Sequence, residues 1–185
     1  NSKAMTAAVL ARLVQQGRLR WDDPVIKHLP QFAMHDPWVT RHITVSDLLV
    51  HNSGLPEGGG DLMLWPEPNL FSRDDILRGL RHIKPAYSFR AGYAYDNLLY
   101  VVAGEVAAAA GGASYEALVR RELFEPLGLS GCRVGEFSLA DAGSVAQPHT
   151  RTGERNEAMR RDGAVVPMIA SAPAGGIRCG LDDML

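Results

Sequence analysis

The stretch Tyr93-Ala94-Tyr95-Asp96-Asn97-Leu98-Leu99-Tyr100-Val101-Val102-Ala103-Gly104-Glu105-Val106 decides how this chain reads. Its first residues show no periodicity and form an irregular loop. Leu98, Leu99, Val102 and Val106 then recur at helical spacing, so the loop runs into a buried helix. Asp96 is placed to cap that helix, and Asn97 could serve as well. Tyr95, Asp96 and Asn97 thus bring a phenol, a carboxylate and an amide to one helix start. A phenol held beside an ammonium group is pushed toward phenolate and becomes a usable base. The same residues also fit a core tyrosine beside a capped helix, and this stretch alone leaves both readings open.

Working outward, the chain opens Asn1-Ser2-Lys3-Ala4-Met5. Met5, Val9, Leu10, Leu13 and Val14 predict an amphipathic helix over 5–16, ended by Gly17. Thr44-Val45-Ser46-Asp47 has a capping-box-like start and predicts a helix running toward His51. Residues 57–70 are rich in Gly, Pro and Trp and read as a surface loop or a flap that sets substrate choice. Ser72, with Asp74 and Asp75 behind it, starts a helix that Lys84-Pro85 stops. Gly111-Gly112 breaks the central helix, and Ser114 caps another whose buried stripe is Tyr115, Leu118, Val119 and Leu123. Residues 138–163 are polar and weakly periodic. Leu181 to Leu185 begin one more helix.

Three motifs together resemble the serine hydrolases of the β-lactamase and penicillin-binding-protein superfamily, in the branch of class C-type β-lactamases, D-aminopeptidases and esterases. Those enzymes carry Ser-x-x-Lys at a helix start, Tyr-x-Asn on a loop, and a Lys-Thr-Gly or His-x-Gly strand near the C-terminus. Lys3 matches the lysine, and Tyr95 and Asn97 match the second motif. His51-Asn52-Ser53-Gly54-Leu55-Pro56 resembles the family's His-Thr-Ser-Gly-Leu-Pro, with Asn52 where threonine is usual. Phe89-Arg90-Ala91-Gly92 departs from the family's Pro-Gly. Pro173-Ala174-Gly175-Gly176-Ile177 matches an Ala-Gly-Gly turn where small residues let backbone approach the substrate. Gln147-Pro148-His149 stands near a similar Pro-His and is read as structural. Pro24 and Arg81 stand three residues before Lys27 and Lys84. The nucleophilic serine is therefore expected immediately before Asn1.

The resemblance implies an α+β parent fold, of which residues 1–185 form a single partial domain. This part holds the serine helix without its serine, plus the helical lobe, and the flanking sheet segments lie outside it. Mostly helix and loop with little strand is expected. Helices such as the first would then expose a face that the remaining segments of the parent domain cover.

Composition bounds the alternatives. Hydrophobic residues make up 46% and charged residues 22%, as in an ordinary globular protein. A net charge of -2 gives no basic footprint for nucleic acid. No apolar run reaches the length of a membrane span. Cys132 and Cys179 fit no metal spacing and are read as free thiols. No motif calls for a cofactor or a metal. The compartment stays open from the residues themselves, with periplasmic or secreted placement implied by the resemblance.

The expected chemistry is acyl transfer to water from a small-molecule ester, amide or β-lactam. Lys3 and Tyr95 are the catalytic candidates, and Asn97, Gly175 and Gly176 are the substrate-binding ones. Residues three apart share a helix face, so the lysine amine stands beside the hydroxyl it serves. His51 is read as a hydrogen-bonded turn histidine rather than a general base. Ser2 and Ser53 sit in no Gly-x-Ser-x-Gly elbow and are discounted as nucleophiles. The alternative is a catalytically inert ligand-binding or interaction module derived from the same fold.

Overall fold

The computed structural model describes residues 1–65, 69–142, 144–147, 149–158 and 165–185. Helix α1 (Ser2–Gln15) begins three residues earlier than its apolar periodicity indicates and buries Thr6, Val9, Leu10 and Leu13. Gly17, at φ 70°, lets the chain leave it. Two short helices follow, α2 (Val25–His28) and α3 (Pro37–His42), the latter capped by the Asp36 carboxylate on the Trp38 N–H.

The helix expected after Thr44 is one 3₁₀ turn, Ser46–Leu48. Asp47 takes the Thr44 N–H, as the capping-box-like start implies, and the Thr44 hydroxyl besides, but the chain then turns sharply through His51, at φ 59°. α4 (Arg73–Gly79) starts in a full capping box between Ser72 and Asp75. α5 (Leu98–Gly111) is the central helix, with Leu98 to Gly104 all buried, and Gly112 ends it in the left-handed region. α6 (Tyr115–Val119), capped by Ser114, runs through a π-helical turn (Arg120–Phe124) into α7 (Glu125–Leu127).

Strand is scarce. β1 (Phe137–Ser138) precedes α8 (Leu139–Ala142), and β2 (His149–Thr152) pairs antiparallel with β3 (Arg155–Ala158) in an exposed hairpin turning at Gly153. β4 (Val165–Val166) returns to pair with β1, and α9 (Ala172–Gly175) occupies the place of the expected Ala-Gly-Gly turn. Residues 66–68 of the 57–70 loop, and Gly143, Pro148 and 159–164 of the polar stretch, lie outside the described residues. A 3₁₀ turn (Asp182–Met184) ends the chain.

The core forms where α1, α5, α6 and α9 meet, with α4 packed on α5. Gly104 allows this closeness, since a Cβ there would stand 2.4 Å from the Pro173 ring. On the far side of α1, Ala4, Ala11, Arg12 and Gln15 are exposed. Among the described residues no single helix is long and apolar enough to cross a membrane.

The cysteines are not free, contrary to the sequence reading: Cys132 and Cys179 form a disulfide across 47 residues. The reason is strand register. Arg133 and Arg178 exchange both backbone hydrogen bonds, at 2.6 and 2.9 Å, as an antiparallel pair. Their neighbours Cys132 and Cys179 then face each other as the adjacent cross-strand pair, where side chains come closest. Spacing along the chain carries no trace of this.

Candidate active site

Three segments distant in sequence converge on the Lys3 amine. Lys3 rises from the first turn of α1, and its Nζ donates to Asn97 Oδ1 at 2.8 Å and to the Ala174 carbonyl at 3.0 Å. It also lies 4.8 Å from the centre of the Tyr95 ring and 5.2 Å from that of Tyr100. The loop before α5 thus supplies the amide and the phenol, and α9 supplies the carbonyl.

Buried polar bonds hold the segments together. Thr6 Oγ1 lies 2.7 Å from both the Tyr115 hydroxyl and the Pro173 carbonyl. Tyr115 therefore donates to Thr6, whose own hydroxyl donates to the carbonyl. One turn nearer the amine, Ser2 Oγ accepts the Ile177 N–H at 3.0 Å. Ser2 is buried and engaged in this bond. Ser53 likewise uses its hydroxyl locally, accepting the Leu55 N–H at 3.2 Å.

The tyrosines divide by the state of their hydroxyls. Tyr100 donates to the Leu49 carbonyl at 3.0 Å, and burial pushes its phenol up from the ordinary value. Tyr115 is pushed up to about 12, chiefly by burial, so it stays a neutral phenol. Tyr95 is 39% exposed, and its hydroxyl makes no hydrogen bond among the described residues. Of the two phenols beside the amine, only that of Tyr95 is uncommitted.

His51 is buried with its ring 4.6 Å from that of Tyr95. Its Nδ1 accepts the Asp96 N–H at 3.1 Å, so a proton on the neutral ring resides on Nε2. Burial, and then the positive charge of Lys3, lower its pKa and favour that neutral form. The histidine braces the loop that carries Tyr95 through this bond, while its carbonyl takes the Ala94 N–H at 3.0 Å.

Asp96 supplies the cap bond that both it and Asn97 could have made, accepting the Leu99 N–H at 2.9 Å through Oδ1. It is fully buried, and its Oδ2 has no partner. Burial raises its pKa to about 7, against the lowering effect of the Leu99 N–H. Asn97 is free to bridge. Its Nδ2 lies 3.3 Å from both carboxylate oxygens of Asp61, a residue the sequence reading did not single out. The signal was present in Gly58-Gly59-Gly60-Asp61, a glycine run that ends on an acid. The Gly58 N–H bonds the Tyr95 carbonyl at 3.0 Å, tying that loop to the site.

Gly175 and Gly176 directly follow the carbonyl that receives Lys3. A Cβ on Gly176 would meet Ala172 Cα at 2.6 Å, whereas nothing lies within 4 Å of one on Gly175. Gly176 is thus required by packing, and Gly175 borders open space. A separate cleft of about 340 Å³, lined in part by Met34, Val39, Leu55 and Phe89, contains none of Lys3, Tyr95, Asn97, Gly175 and Gly176.

Comparison with known proteins gives the family and the fold. A family model described as Beta-lactamase matches residues 1–185. The Unguisins hydrolase ungD' of Aspergillus campestris is 32% identical over 150 residues, which cover 76% of this chain and 27% of that protein. Protein flp of Staphylococcus aureus is 28% identical over 135 residues, covering 69% of this chain and 25% of its own length. The chain therefore spans about a quarter of the length of these curated relatives. Among solved structures, a class C beta-lactamase superposes with a TM-score of 0.76 at 21% identity, covering 99% of this chain and 46% of that one. FmtA from Staphylococcus aureus gives 0.77 at 20% identity, covering 99% and 48%. At these identities the structural likeness speaks for the fold.

Proposed function

The chain belongs to the Beta-lactamase family, and from that membership we propose that the longer protein carrying it is a serine hydrolase working through an acyl-enzyme. The observation that carries the reading is the Lys3 amine, set against the Tyr95 ring at 4.8 Å while the Tyr95 hydroxyl stays uncommitted. In this reading a serine stands immediately before Asn1, three residues ahead of Lys3 at the entrance to α1. Its proton passes to the coupled amine and phenol as its oxygen attacks the acyl carbon. Tyr95 then returns a proton to the leaving group, and water cleaves the acyl-enzyme by the same route in reverse.

Asn97 is the acyl-side contact. With its Oδ1 on Lys3 and one N–H on Asp61, it keeps one N–H for a substrate carbonyl. Gly175 and Gly176 form the small-residue wall that lets backbone approach the acyl group. The oxyanion donors are the N–H of the serine and one N–H from a segment beyond Leu185. Substrates are small esters, amides or β-lactams. The hydrolase name of the Aspergillus relative supports transfer to water.

The test is turnover of a short-acyl nitrophenyl ester by the full-length protein. Hydrolysis that falls by about two or more powers of ten in Lys3→Ala supports the reading. Full activity in Lys3→Ala contradicts it, and absence of turnover in the unaltered protein favours an inert binding module.

A further inference from the structure

Asn97 sits between two groups of opposite character. Lys3 Nζ donates to its Oδ1 at 2.8 Å, and its Nδ2 faces both oxygens of Asp61 at 3.3 Å. An asparagine amide is nearly symmetric in shape and can turn over, so its neighbours must fix which end is oxygen. Lysine only donates while it is protonated, and an ionised carboxylate only accepts. A reversed amide would set N–H against ammonium and oxygen against carboxylate. Asp61 therefore locks the end of the amide that faces Lys3.

The carboxylate is placed with some care. The Asp61 N–H bonds the Gly58 carbonyl at 3.0 Å, and Gly58 in turn is bonded to Tyr95. Gly60, at φ 85°, packs so closely that a Cβ there would meet Leu98 at 2.3 Å and Ile83 at 2.8 Å. This glycine turn thus lies against the start of α5, beside Asn97. No basic side chain pairs with Asp61 in an ion pair among the described residues, in contrast to Asp23, Asp47, Asp74 and Asp75.

We propose that Asp61 is a positioning residue: by fixing Asn97 Oδ1 toward Lys3, it leaves the amine with two acceptors, Asn97 Oδ1 and the Ala174 carbonyl, and directs its remaining valence toward Tyr95 and the serine. The proposal rests on the hydrolase reading given above. Asp61 acts through Asn97 and not on the substrate, so its loss lowers the rate of the chemical step more than it weakens binding.

The test is a double-mutant cycle in the full-length protein with a short-acyl nitrophenyl ester. Asp61→Ala lowers kcat about tenfold with KM within about threefold. In an Asn97→Ala background the same change costs less than about twofold further, because the residue it orients is gone. Equal losses in both backgrounds, or an unchanged kcat, overturn the proposal. Asp61→Asn, which keeps the shape of the side chain, replaces Asp61→Ala if the alanine variant does not fold. A second readout needs no turnover. In ¹⁵N-labelled protein, an Asn97 side-chain N–H is protected from solvent exchange, and Asp61→Ala removes that protection. An unprotected amide in the unaltered protein overturns the lock directly. A protein that hydrolyses no ester counts against the hydrolase reading, and the exchange measurement then decides the orientation by itself.

Discussion

Two buried aspartates flank the His51-Asn52 pair, and they are treated in opposite ways. Asp47 receives the Thr44 N–H and hydroxyl, the Asn52 amide, and the guanidinium of Arg90 through two nitrogens at 2.9 and 2.6 Å. Burial opposes its charge, but these bonds overcome it and hold the pKa below the usual carboxylate value. Asp96 receives one backbone N–H through Oδ1, has no partner for Oδ2, and is raised to about 7 by burial. The Asp47 side is a wired support whose charges are answered. On the Asp96 side stand the amine of Lys3, the phenol of Tyr95 with no hydrogen-bond partner among the described residues, and a histidine whose neutral form burial favours. The difference separates a part of the turn whose charges are all answered from the part that the proposed mechanism uses.

The contrast breaks most readily at the tyrosines. Tyr95→Phe in the full-length protein is expected to lower ester turnover by roughly two to four powers of ten. Tyr100→Phe, which removes a hydroxyl already spent on Leu49, should change it by less than about tenfold. Similar losses in both variants would erase the distinction between free and committed phenols.

A second prediction concerns the disulfide, which ties the segment carrying Ala174 to the body of the lobe. Cys132→Ser with Cys179→Ser should lower unfolding stability by roughly 2–4 kcal/mol, measured by denaturant titration under oxidising conditions. If the unaltered protein gives the same midpoint with and without reductant, the cross-link contributes nothing to this anchor.

Asp47→Ala should then cost about 2–3 kcal/mol, since it strips a cap and strands the Asn52 amide. Because Asp47 touches none of the reactive groups, the kcat of the folded variant should stay within about threefold of its original value. A large loss of kcat with little loss of stability would place Asp47 on the chemical side instead.

The smallest effect is a pH dependence. A carboxyl raised to about 7 binds a proton in the folded state that the unfolded chain has released above its ordinary value near 3.8. Between those values folding takes up a proton, so the contribution of Asp96 to stability falls as pH rises. Asp96→Asn has no such proton. Its stability relative to the unaltered protein should rise by about 2 kcal/mol from pH 5 to pH 7, read from parallel denaturant titrations. A difference that is flat across that range would show that Asp96 is ionised throughout.

Much of this was legible in the residues. The apolar spacing that marks α1, α5 and α6 is local, as are the caps at Ser72 and Ser114, and local pattern is what a sequence displays directly. Lys3, Tyr95 and Asn97 were identified through resemblance, and the fold does gather them around one amine. Asp61 escaped because its role depends on a loop folding back over Asn97. The disulfide escaped because only the Arg133 and Arg178 register brings its cysteines face to face. Asn52, where the family usually has threonine, and Arg90, in the stretch where the family more often has Pro-Gly, look unrelated in sequence. Both turn out to bond Asp47, and Arg90 does so from a positive φ of 63° that few non-glycine residues adopt. The Arg90–Asp47 partnership joins residues 43 apart and has no one-dimensional signature.

The most direct test of the central claim is to treat the full-length protein with a fluorophosphonate and map the adduct by intact mass and peptide sequencing. The account predicts one adduct, on a serine immediately before Asn1, that forms far more slowly in Lys3→Ala. Labelling at Ser2, Ser53 or any other residue, or no labelling of the folded protein, would contradict it.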